Sequence, residues 1–275
     1  MDISQAHGKT PYALIRPFID RVSVVIVKNI QRRPDIMVEA TSLVGQSRQS
    51  FIQTTLHATL PALVMARERD ALATVASVVG QDLGPLLLDH MAEILTYIFL
   101  RPRQTDSSIE YLVGLFADRL GTRANNASTA SLIASCHMNL AVALIIELGD
   151  EDPKVSGAAT EGLEKAQYYQ SNGRRDTHLA QFLRPVMLGI MTHLNETLHD
   201  MRGKKTIAFK RKLIRSIGAL IFLVGQAMSA YSPQVRLQAS LSMISADELR
   251  SWQVSKAPCQ CRSSAVLPSI LGVPL

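Results

Sequence analysis

Apolar residues in this chain recur at steps of three and four, and almost nowhere do they alternate with polar ones. Phe18, Val22, Val25, Ile26 and Ile30 follow the i, i+4, i+7, i+8 spacing that lines one face of a helix. A strand needs a period of two, so this pattern commits the backbone to amphipathic helices. The interruptions are proline and glycine. Thr10-Pro11 reads as a helix start. Pro34 ends the helix that follows, Asp35 opens a short one, and Gly45 closes it. Ser47 starts another, which Pro61 is expected to break or kink because proline lacks a donor and crowds the preceding turn. Further helices are expected over "ERDALATVASVVG", "GPLLLDHMAEILTYIFL", "SSIEYLVGLFADRLG" capped by Asp106, "STASLIASCHMNLAVALIIELG" and "DEDPKVSGAATEGLEKAQYYQ". Two longer ones, Thr177 to Met201 and Ile207 to Tyr231, complete the regular part. About ten helices joined by short connections, with no strand–helix alternation, disfavour a doubly wound or barrel fold. The expected class is all-α.

The material suits that class. Apolar residues make up 47% of the 275 and aromatics 5%, so the core is built from aliphatic helix formers. Cys136 sits in an apolar run and reads as a small buried hydrophobe, and Cys259 with Cys261 lacks the further ligands a zinc site needs. No disulfide framework is implied, "MDISQAHGKTP" has no signal-peptide core, and a reducing intracellular compartment is expected. Ser216 to Val235 carries no charge, yet Ser, Gly, Gln and Pro dilute it, so a buried core helix is read there rather than a membrane span.

Motifs for chemistry are missing. "HGKT" at His7 to Thr10 lacks the glycine and the strand of a phosphate-binding loop. His193, Glu196 and His199 share a helix face but have no supporting ligand cluster, and read as polar surface. Asp89-His90 and Cys136-His137 are sequence neighbours, which point about 100° apart on a helix and make no ready dyad. No catalytic, metal or cofactor residue is assigned. One feature is left over. The net charge is +6, and no acid occurs between Asp200 and Asp247. Arg202, Lys204, Lys205, Lys210, Arg211, Lys212 and Arg215 crowd the front of that interval. Such a run is usually a solvated helix face, and otherwise a contact surface for acidic partners or phosphate.

Two resemblances extend this reading. Asp152-Pro153 can cap and open a helix, with Val155, Ala159 and Leu163 on one stripe and Ala158 beside it; the pattern resembles the second helix of a HEAT repeat. An irregular HEAT-like α-solenoid of antiparallel helix pairs follows from it. The stretch from Ile15 to Gly80, with "LLLDHMAEILTYIFL" after it, resembles the UME domain region of ATR-type checkpoint kinases, members of the phosphatidylinositol-3-kinase-related family. The likeness centres on "TLPALVMARERDALATVA", Thr59 to Ala76. It continues in "IIELGDEDPKVSGAATEGLEKA", in "FLRPVMLGIMTHLNETLHDMRGKKTIAFKRKLIRSIGALI" and in "YSPQVRLQ". In this reading 1–14 is an N-terminal extension and 15–115 a UME-like helical domain. Residues 116–252 are HEAT-like repeats, and 253–275 an irregular tail non-native to the fold, as in a truncated or mis-spliced product. The resemblance implies a nuclear, non-catalytic scaffold segment of a serine/threonine kinase in DNA-damage and replication checkpoint signalling. It implies protein partners, namely the rest of the kinase and a checkpoint adaptor subunit, and DNA only through them. No membrane, cofactor or small-molecule ligand is implied. The alternative is a free-standing nucleic-acid-binding helical module that uses 202–215.

Overall fold

Helix caps divide the chain into short rods. The computed structural model describes residues 13, 15–120, 129–171, 173, 178–199 and 207–225, all within one compact unit. A 3-10 turn, Arg16–Phe18, leads into α1 (Ile19–Lys28), followed by α2 (Pro34–Val44), α3 (Arg48–Ala66) and α4 (Arg69–Val79). Next come α5 (Leu83–Asp89), α6 (Met91–Phe99), α7 (Thr105–Leu120), α8 (Thr129–Leu148) and α9 (Pro153–Gln170). The last described elements are α10 (Leu179–Leu183), a 3-10 turn Arg184–Val186, α11 (Met187–His199) and α12 (Ile207–Val224). Among the described residues there is no strand, and the all-α expectation holds.

The ends are made by the residues that sequence reasoning singles out. Ser47 accepts from the Ser50 amide at 3.1 Å, and Asp152 from the Lys154 amide at 2.9 Å, each satisfying an orphan donor of the first turn. Gly45 and Gly80 take left-handed φ of 68° and 80° after α2 and α4, where a side chain would be strained. Packing then passes from layer to layer. α3 lies against α1, α4 and α6; α6 against α8 and α9; and α8 against α9, α11 and α12. This relay links the described helices through one chain of contacts. Phe51, Leu60, Leu72, Ile94, Phe99, Leu140 and Ile190 are all but excluded from water along it.

Four expectations need correction. Pro61 does not end its helix; α3 runs through it to Ala66. Proline costs a helix interior about 3 kcal/mol, but Leu56, Leu60, Leu63 and Val64 around it are buried, at about 1.5–3 kcal/mol each, and outweigh it. The chain turns instead at Arg67, whose φ of 58° is left-handed without being glycine. The run through "GPLLLDHMAEILTYIFL" is two helices, broken at His90. The helix placed over Thr177 to Met201 is interrupted by the 3-10 turn at Arg184-Pro185-Val186, where proline denies the α-helical bond. Cys136 has non-helical φ/ψ of −129° and 18°, so α8 is kinked there.

α8 is, among the described residues, the one helix long and apolar enough to cross a membrane. It is also the hub of the packing, with Leu140, Ala141, Leu144 and Ile145 fully buried. The uncharged run from Ser216 begins in α12, which buries Ser216, Ile217, Leu220 and Val224. Its continuation past residue 225 lies outside the described residues, as do Thr10-Pro11 and the 253–275 tail.

Candidate functional site

The basic run and an acidic corner meet. α8 ends in Glu147-Leu148, Gly149 turns the chain, and Asp150, Glu151 and Asp152 lead into α9. α12 crosses this corner. The Lys212 ammonium donates to Glu147 Oε2 at 2.7 Å and to Asp150 Oδ2 at 2.8 Å. Arg215 donates to Glu151 Oε1 at 2.7 Å. The Ser216 hydroxyl lies 2.9 Å from both the Ile146 and the Lys212 carbonyls and shares one proton between them. Asp150 is held from its other side as well, accepting the Asp152 amide at 3.0 Å on Oδ1.

This seam is closely fitted. A Cβ on Gly149 would collide with the Lys212 carbonyl and the Ser216 hydroxyl, and would lie 2.7 Å from the Ser216 nitrogen. Only glycine lets α12 approach so near. The electrostatics agree with the geometry. Burial lowers the Lys212 pKa, but the hydrogen bonds it donates to Asp150 and Glu147 outweigh it and hold the ammonium above the ordinary lysine value. The bond from Lys212 holds the Asp150 carboxyl below the ordinary carboxylate range.

Of the bases read as a solvated face or else a contact surface, the described ones thus divide. Lys212 and Arg215 are engaged in the clasp. Lys210 is half-buried and has contacts of its own, whereas Arg211 is exposed. Arg202, Lys204 and Lys205 lie outside the described residues. The partners Glu147, Gly149, Asp150, Glu151 and Ser216 were not singled out from sequence. Their signal was present in "ELGDED", an acidic run complementary to the later basic one, but some 65 residues separate the two.

A second seam uses the Arg67-Glu68-Arg69-Asp70 turn. Lys28 pairs with Glu68 at 3.2 Å, and the Gln31 amide donates to the Asp70 carbonyl at 3.2 Å and to Thr74 at 2.8 Å. Arg67 reaches the Ser107 carbonyl at 3.4 Å. These bonds tie α1 and α7 to the turn between α3 and α4. Asp106 lies inside the first turn of α7 and receives Tyr169 at 2.6 Å and Lys165 at 3.5 Å from α9.

Among the described residues the other candidates form no reactive centre. Burial pushes the Cys136 thiol up to about 11, which leaves it protonated and inert at neutral pH. The neighbouring His137 ring packs on Phe182 with centroids 4.5 Å apart, and burial lowers its pKa. His193 and Glu196 are exposed on α11. Among the described residues no three His, Cys, Asp or Glu side chains come together as metal ligands.

The family model of the UME (NUC010) domain matches residues 182–255, from Phe182 in α10 through α11 and α12. Over that segment the chain is similar to the UME domain. The match falls within the segment read above as HEAT-like repeats, and it overlaps the later part of the resemblance, "FLRPVMLGIMTHLNETLHDMRGKKTIAFKRKLIRSIGALI". "TLPALVMARERDALATVA" is a helix–turn–helix with apolar stripes and a charged turn, a pattern that packing alone produces. The clasp therefore joins the UME-matched segment, through α12, to the helices before it. A wider likeness runs to "Protein kinase rad3" of Schizosaccharomyces pombe (strain 972 / ATCC 24843), 25% identical over 232 residues. That alignment covers 82% of this chain and 9% of the relative, so the chain spans under a tenth of the length of the curated relative it matches. The expected likeness to an ATR-type kinase holds. No solved structure matches the chain.

Proposed function

We propose that this chain is a non-catalytic helical scaffold segment of an ATR-type serine/threonine protein kinase, working in the nucleus in DNA-damage and replication checkpoint signalling. The alignment of 82% of the chain with a protein kinase, joined to a UME domain match, carries the reading. The helical architecture suits it: stacked rods hold neighbouring parts at fixed separation, and their buried faces leave charged edges for contacts. Its partners on this reading are the rest of the kinase and a checkpoint adaptor subunit, with DNA reached through them.

Disrupting the coding sequence in the host tests this. Cells should become sensitive to replication-blocking drugs and lose damage-induced phosphorylation of checkpoint targets. Normal survival and normal phosphorylation would remove the proposal. The purified chain, incubated with labelled ATP and a protein substrate, is expected to transfer no phosphate.

A further inference from the structure

His137 is a titratable group enclosed where three helices meet. It follows directly on the kink of α8 at Cys136 and is 9% exposed. Its ring packs on Phe182 of α10, and Nδ1 lies 3.5 Å from Gln170 Nε2 at the end of α9. Nε2 is shut away from water and has no hydrogen-bond partner among the described residues. Phe182 is the first residue of the UME-matched segment and is itself buried. α10 has only five residues, and Phe182 and Leu183 are its buried ones.

This enclosure suits a neutral ring. With Gln170 donating to Nδ1, the proton sits on Nε2. A second proton, on Nδ1, would face the Gln170 amide N–H, so that side chain must turn over to accept it. The added charge would also lack a counter-ion. α10 carries no charged residue. On α9, Lys165 and Tyr169 are turned to Asp106; on α6, Glu93 bears on Cys136; on α12, Lys212 and Arg215 are held in the clasp. Among the described residues no other acid or base acts on the ring, His193 and Glu196 of α11 and His178 and Arg184 beside α10 included. We propose that His137 is a proton-operated latch: neutral, it seats Phe182, and with it the start of the UME-matched segment, against α8; charged, it lets that segment loosen. Burial holds the folded pKa below the unfolded value of about 6.5, and the nearby Phe182 backbone offsets only part of this. The stability that the seat contributes is therefore complete above about pH 6.5 and fades as pH falls from there toward the folded value. Asp150 of the clasp titrates in a lower range.

Hydrogen exchange of the full chain at about pH 7.5 and 5.5, corrected for intrinsic rates, tests this. Amides of α10 and α11 should lose protection by up to about tenfold at the lower pH, since one suppressed protonation gives at most about tenfold per pH unit below the unfolded value. Amides of α3 should keep theirs. His137→Phe keeps a ring against Phe182 but cannot titrate, and should remove the change. Gln170→Glu places a carboxylate at Nδ1 and should shrink or reverse it. An NMR titration of the unsubstituted ring should give a midpoint below about 6.5. A midpoint at or above that value, unchanged protection at the lower pH, or a loss that persists in His137→Phe overturns the proposal. Should His137→Phe fail to fold, a loss untouched by Gln170→Glu overturns it equally.

Discussion

The charged seams at the turn after α3 and at the corner after α8 differ in how much water reaches them. At the turn after α3, Lys28 and Glu68 stand 3.2 Å apart with side chains 45% and 32% exposed. At the corner after α8, Lys212 meets two carboxylates at 2.7 and 2.8 Å and is only 20% exposed. Exposed pairs are screened and contribute about 0–1 kcal/mol. A partly buried cation with two carboxylate partners and a closely fitted backbone beneath it holds far more firmly. Runs of charge that look alike in sequence thus have two fates. One decorates a turn; the other fastens α12, and with it the UME-matched segment, to the helices before it.

The comparison can be broken at several points. Gly149→Ala is expected to do most harm, because the new methyl meets the Lys212 carbonyl, and backbone cannot swing aside. The loss should reach or exceed the upper end of the ~1–3 kcal/mol typical of overpacking, read by urea denaturation. Lys212→Met should follow, at about 1–2 kcal/mol, since it leaves Glu147 and Asp150 facing each other without their cation.

Acid should sharpen the contrast next. The folded pKa of Asp150 is depressed, so its contribution is complete above the unfolded value of about 4 and fades as pH falls through the folded value. Hydrogen exchange of α12 amides should therefore speed up at low pH relative to α3 amides. Lys212→Met should already be fast at neutral pH and show less further change. The smallest effect is expected at Arg67. Replacing it with glycine relieves a left-handed residue and gives up one long, exposed hydrogen bond, so stability should rise by less than about 1 kcal/mol. A large loss there would show the turn to be as firmly held as the clasp.

Helix identity was legible because spacing and caps are local. Ser47, Gly45, Gly80 and Asp152 each sit where their chemistry required. Errors arose where a tertiary term opposed a local one. Pro61 reads as a break, yet buried leucines on both sides carry the helix through it. His90 reads as mid-helix, and the chain breaks there to turn α5 into α6. The clasp was half legible. The basic run was found and its acidic complement was not connected to it, because nothing local links Lys212 to Glu147. Gly149 had no visible role until the crossing of α12 gave it one.

The most direct test is a double-mutant cycle on Lys212→Met and Asp150→Asn, followed by denaturation, with Lys28→Ala and Glu68→Ala as the matching exposed cycle. The account predicts a coupling of about 1 kcal/mol or more across the clasp and less than about 0.5 kcal/mol at the turn. Equal, negligible coupling at both seams would contradict it.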